Sequence, residues 1–192
     1  DSIFIVERAP NLRGLIFDSL ISKGTMVPLI VALRHTPHLQ QLRCMPINVE
    51  GSILIDFIAA IEENLRLTAL SFCLTVVSQQ EFIARVASRL CAYLERVETL
   101  RYLQLTAKDS QLSEEMWTGR QLYSQACEML RKMTTLRCLE LMTTHAFVLQ
   151  LLSGTQYCTL DRLDVFVSGK NADFSDIFVF LKDHSRLRHL SM

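Results

Sequence analysis

The chain has 192 residues, 49% hydrophobic and 21% charged, with 20 Lys and Arg balancing 20 Asp and Glu. That composition excludes a disordered or low-complexity polypeptide, and with no basic excess or cluster the electrostatic footprint of a nucleic-acid binder is missing. The longest near-continuous apolar stretch, Met26 to Leu33, is broken by Pro28 and is far too short for a bilayer span, and no signal-peptide pattern opens the chain.

In chain order, a first phrase places Leu12, Leu15 and Phe17 in the pattern Leu-x-x-Leu-x-apolar, after the lead-in Ala9-Pro10-Asn11. Thr36-Pro37-His38 leads into a second phrase at Leu39, Leu42 and Cys44. Ile53, Phe57, Ile58 and Ile61 then form a helical stripe, followed by a phrase at Leu67, Leu70 and Phe72. Ser78-Gln79-Gln80-Glu81 reads as a capping box, opening a helix whose stripe is Phe82, Val86, Leu90 and Leu94, flanked by Ile83 and Tyr93. Leu100, Leu103 and Leu105 make the fourth phrase, and Leu122, Cys127, Met129 and Leu130 a less regular helix. Further phrases stand at Leu136/Leu139/Leu141, Leu160/Leu163/Val165 and Leu187/Leu190/Met192, with a helical stripe at Phe174, Ile177, Phe178 and Leu181 between the last two.

The seven first leucines are spaced by 27, 28, 33, 36, 24 and 27 residues, so the chain is a repeat array. Within each phrase the alternation sends the second leucine and the last apolar residue to one face of a strand and the residues between them to the other. Strands are expected near 13–18, 40–45, 68–73, 101–106, 137–142, 161–166 and 188–192. One strand and one helix per unit, all read in one direction, predict a parallel sheet with helices returning on one side. Ordering a single unit costs more chain entropy than its own apolar face recovers, so the units must stack. The expectation is one α/β domain over 1–192, with Asp1 and Met192 reading as cut ends of a longer array.

The phrases resemble the strand segment LxxLxLxx(N/C)xL of leucine-rich-repeat proteins, and the intervals look like the long, helix-bearing class of the ribonuclease-inhibitor type. The resemblance implies a solenoid, or horseshoe, with a curved parallel β-sheet on the concave side and helices on the convex side. One departure is clear: the family's Asn or Cys is replaced by Leu20, Ile47, Thr75, Lys108, Thr144 and Ser168. The Asn ladder is therefore missing, Thr75, Thr144 and Ser168 replace it only in part, and stacking is expected to be less uniform than in regular members. The irregular spacing and the Leu-Arg-x-Leu phrases are also similar to the C-terminal part of F-box-type proteins, particularly fungal ones, although no F-box segment is visible.

No phosphate-binding, nucleophile-elbow or zinc-protease motif occurs. His35 and His38 flank Pro37 and read as surface turn residues rather than a metal pair, while His145 and His184 fit helix ends. Glu62-Glu63 and Glu114-Glu115 read as solvated charge, since adjacent helical residues do not face one another. The six cysteines form no CxxC pair: Cys44, Cys91 and Cys127 read as core, Cys73 and Cys138 as exposed strand positions, and the compartment as a reducing, intracellular one, cytoplasmic or nuclear. Trp117, in the segment Lys108 to Gly119, either caps neighbouring helices or projects as a binding anchor.

With no catalytic set, no cofactor, metal or small-molecule substrate is expected, and the chain reads as a non-enzyme. What remains is the strand face, whose equivalent residues stack in columns. Arg43, Arg101, Tyr102, Gln104, Arg137, Glu140, Met142, Asp161, Arg162, Asp164 and Phe166 are the expected contact residues, because Arg and aromatic side chains dominate protein–protein hot spots. The expected function is a binding scaffold for a protein partner, with no role on nucleic acid or membrane. The resemblance suggests the substrate-recognition part of an F-box-type ubiquitin ligase; a ligand-sensing repeat module of an immune-type receptor or effector is the alternative.

Overall fold

The computed structural model describes residues 11–76, 80–107, 120–144, 160–168 and 187–191. Seven strands, β1 (Gly14–Phe17), β2 (Gln41–Asn48), β3 (Ala69–Val76), β4 (Tyr102–Ala107), β5 (Cys138–Thr144), β6 (Arg162–Ser168) and β7 (His189–Ser191), form one sheet in sequence order. Every neighbouring pair is parallel. Four helices are described: α1 (Lys23–Arg34), α2 (Gly51–Glu62), α3 (Gln80–Leu94) and α4 (Arg120–Lys132), each packed against the next. The architecture is the leucine-rich-repeat solenoid. The expected helix over 174–181, His145, His184 and Trp117 lie outside the described residues.

The recurring leucines are the reason for the stacking. The register runs Leu15, Leu42, Leu70, Leu103, Leu139, Leu163 and Leu190 across the sheet. From Leu42 to Leu163 these side chains are all but completely buried, as are the first leucines of the phrases from Leu39 to Leu160. Leu12, Leu15, Phe17 and Leu187, in the terminal rungs, are only partly covered. The helix stripes close over this row: Phe57 and Ile58 of α2, Leu90 and Leu94 of α3, and Met129 and Leu130 of α4 belong to the same core. Helix α2, flanked by α1 and α3, is apolar over most of its surface because it is covered on both sides as well as from below.

Two register shifts are recorded among the described strands, both in β2–β3, between Cys44 and Ile47 and between Ile47 and Asn48. Pro46 has no N–H to give a ladder bond, so the strand bulges there and resumes at Ile47, which also bridges Ile21. Ile47 stands where the family carries Asn, and its side chain is buried among apolar neighbours rather than capping backbone groups.

Polar satisfaction occurs instead at the opposite end of the strands, where each helix turns back into the sheet. Asn64 Nδ2 donates to the Thr36 carbonyl at 3.1 Å, and Asn64 Oδ1 accepts from the Arg66 N–H at 3.2 Å. The Tyr93 hydroxyl donates to the Asn64 carbonyl at 2.8 Å. Thr99 Oγ1 reaches the Leu67 carbonyl at 2.8 Å, and Thr135 Oγ1 reaches that of Leu100 at 2.9 Å. Apart from the local Asn64–Arg66 bond, each spans one repeat, so these side chains tie corner to corner. On the helix side, Glu62 and Glu63 sit at the α2 C-terminus, where the dipole disfavours negative charge. They are not merely solvated: Glu62 takes a two-pronged bond from Arg89 of α3 at 2.8 Å on each oxygen, and Glu63 faces Arg34 of α1 at 3.6 Å. The adjacent carboxylates thus bind in opposite directions along the solenoid.

Replacing Leu103 by Ala removes a side chain at 0% exposure between two rungs and costs about 2–5 kcal/mol of unfolding free energy by urea titration. Leu15→Ala, in the terminal rung, costs less than half as much. Asn64→Ala removes one of two donors to the buried Thr36 carbonyl and the acceptor of the Arg66 N–H, and costs roughly 1–3 kcal/mol.

Candidate functional site

The face of the sheet turned away from the helices carries three columns. One runs Gly14, Gln41, Ala69, Tyr102, Cys138, Arg162 and His189, and the next but one along each strand runs Ile16, Arg43, Ser71, Gln104, Glu140, Asp164 and Ser191. Further along, Cys73 is level with Thr106 and Met142 with Phe166. At the N-terminal edge of the strands, Arg13, Gln40, Thr68, Arg101, Arg137 and Asp161 each offer a carbonyl that accepts two consecutive N–H groups from the next rung, at 2.7–3.1 Å. This edge is a rigid rail, because the bonds are all backbone and both carbonyl lone pairs are used.

The expected contact residues fall into three clusters and a rim. At the centre, Ser71 Oγ donates to Gln104 Oε1, and Gln104 Nε2 donates to Glu140 Oε1 at 2.7 Å. The Tyr102 hydroxyl donates to Glu140 Oε2 at 3.0 Å and lies 3.3 Å from Gln104 Oε1. Toward β7, Arg162 Nε donates to Asp164 Oδ2 at 2.7 Å, and His189 Nε2 stands 3.5 Å from Asp164 Oδ1, which has no hydrogen-bond partner. Toward β1, Arg43 Nε pairs with Asp18 at 3.1 Å. Arg101 and Arg137 are exposed and Asp161 half-buried along the rim. Met142 is placed by its backbone beside Phe166, whose ring is 46% exposed.

Two of these residues are not on open surface. Gln104 is 8% exposed and Asp164 2%, both held in polar ladders. Cys73, expected exposed, is buried as well, as is Ser71. Ser71, Gln104 and Asp164 are drawn into side-chain hydrogen bonds with their neighbours, and Cys73 is short. Cys44 and Cys91 are buried in the core as expected, and Cys138 is half-buried. The central cluster gains Ser71 and the terminal one His189; their column positions were the only sequence signal for either.

Burial pushes the Tyr102 phenol well above its ordinary value, helped by its hydrogen bond to Glu140 and by that carboxylate's charge, against a smaller opposing effect of Arg43. Burial likewise raises the Cys138 thiol despite Arg162 nearby, and pushes the Cys91 thiol up to about 12. Such thiols are protonated and unreactive at neutral pH. Among the described residues, no group of three His, Cys, Asp or Glu side chains is arranged to hold a metal, and no helix is long and apolar enough to cross a membrane. The chemistry this face offers is oriented hydrogen bonding and charge.

The fold is that of a leucine-rich-repeat solenoid. Among solved structures, the chain is similar to the tropomodulin C-terminal domain from Caenorhabditis elegans, with a TM-score of 0.53 and 14% identity over 82% of this chain and 93% of that one. It is also similar to actin-binding site 2 of leiomodin-1, with a TM-score of 0.51 and 13% identity over 81% of this chain and 86% of that one. At such identities the likeness is one of fold. No family model matches the chain, and no curated protein does.

The folded state holds the Cys44, Cys91 and Cys138 thiols and the Tyr93 and Tyr102 phenols protonated above their ordinary values. Stability is therefore complete below the unfolded thiol pKa of about 8.5, and falls as pH rises past it and again past about 10, where unfolded phenols ionise. Urea midpoints measured across that range are expected to decline. Tyr102→Phe lowers stability by about 1 kcal/mol at neutral pH and flattens the alkaline part of the decline.

Proposed function

We propose that the chain is a non-catalytic scaffold, one repeat domain that receives a protein partner on its strand face. The observation that carries this reading is that helices cover one side of the seven-stranded sheet while the other presents in-register columns of Arg, Tyr and Phe over a fixed polar ladder. Preorganised polar groups and exposed aromatic and Arg side chains lose little freedom on binding, which favours their use as anchors. The leiomodin-1 neighbour is described as an actin-binding site, which supports reading a similar solenoid as a protein-recognition element. Four free thiols among the described residues suit a reducing intracellular compartment. The narrower role, substrate recognition within an F-box-type ubiquitin ligase, rests on the irregular repeat spacing and the Leu-Arg-x-Leu phrases.

Two variants test the use of the face. Ala69→Trp plants a bulky ring beside Tyr102 and Gln41, and Phe166→Ala removes an exposed one. Quantitative capture from cell extract is expected to lose partner proteins by about tenfold with either variant, while Val31→Ser and Arg85→Ala on the helix side retain them. Retention by the strand variants with loss by the helix variants refutes the reading.

A further inference from the structure

The chain is neutral overall, but its strand face is not. Arg13, Arg43, Arg101, Arg137, Arg162 and Arg188 are all exposed. The acidic side chains of the same face are drawn in. Asp164 is buried against Arg162, Glu140 has both oxygens taken by Gln104 and Tyr102, and Asp161 is half-buried. Among the described acidic residues of the face only Asp18 is exposed, and it is paired with Arg43. A partner's cation meets carboxylates already occupied from within, whereas a partner's carboxylate meets guanidinium groups on an immobile edge.

We infer that this arginine-lined edge docks an extended acidic protein segment running across the rungs. This deepens the scaffold reading and rests on it. Arg101 and Arg137 occupy successive positions of the backbone rail, linked through the Arg137 N–H to the Arg101 carbonyl at 2.8 Å, and Arg188 lies two positions further on. Successive rungs are about 4.8 Å apart, and alternate residues of an extended chain about 6.7 Å, so the flexible guanidinium arms span the difference. Among the described residues of this face no lysine stands beside these arginines, whose planar fork grips a carboxylate with two hydrogen bonds, where lysine is a single point charge. The backbone rail runs unbroken from Arg13 to Arg188, which suits an extended occupant.

Calorimetric titration of the whole chain with a short glutamate-rich peptide tests this, beside a lysine-rich peptide and an oligouridylate of matching charge. The glutamate peptide is expected to bind, to weaken as salt shortens the Debye length below about 10 Å, and to bind at least about tenfold more weakly to Arg101→Glu/Arg137→Glu. Lys23→Glu/Arg85→Glu, the same charge change on the helix side, is expected to leave binding unchanged. Circular dichroism and urea midpoints confirm that both double variants fold. Equal affinity for the lysine peptide, tighter binding of the oligouridylate, or indifference to the Arg101/Arg137 reversal overturns the inference. If the acidic peptide fails while Ala69→Trp and Phe166→Ala still abolish capture, the face binds protein of other chemistry; if those also fail, the scaffold reading falls with it.

Discussion

The carbonyl that precedes each strand accepts two N–H groups from the next rung, and this bond recurs at all six interfaces from Arg13 to His189. It is made by backbone alone, so it tolerates any side chain at the position, and it sets every strand in step with its neighbour. Once the rungs are in step, the second leucine of each phrase must lie on the second leucine of the next. The buried row from Leu42 to Leu163 follows, and with it a dry interior that no single strand–helix unit can enclose. The dependence is mutual: the bonds hold the leucines level, and the leucines exclude the water that would compete for the bonds.

Repeat intervals vary from 24 to 36 residues, yet the second leucines stay in register across the sheet. The helix side has its own couplings, Arg34 to Glu63, Glu62 to Arg89 and Glu95 to Lys132, one between each pair of described neighbouring helices. Being largely exposed they contribute modestly to stability; their effect is to favour one rotational setting of each helix over others. The strand face is set differently. Its polar groups bond to one another across β3, β4 and β5, so that surface is already shaped in the free chain.

The leucine rows and columns were legible because two periodicities, that of strands and that of the repeat, are written in the same apolar residues. The register of Tyr102 with Cys138 and Arg162 came from that spacing alone. The polar ladder was not legible, since whether Gln104 folds down onto Glu140 or reaches outward depends on the lengths of side chains on three different strands. The corner network was only partly legible: Thr99 and Thr135 each directly precede the first leucine of a phrase, but Asn64 stands three residues before Leu67, yet each serves a backbone carbonyl one repeat away. The burial of Cys73, a short side chain, was not legible either. Sequence reports which face a residue takes; lateral packing decides whether that residue is seen.

Methyl and amide nuclear Overhauser contacts between rungs test the stacking most directly. The account predicts an unbroken chain of methyl contacts from Leu42 through Leu70, Leu103 and Leu139 to Leu163, with the amides of Tyr102 and Cys138 close to residues Thr68 and Arg101 respectively. Contacts that pair these strands in the opposite sense, or leucines that find no leucine on the adjoining rung, would contradict it.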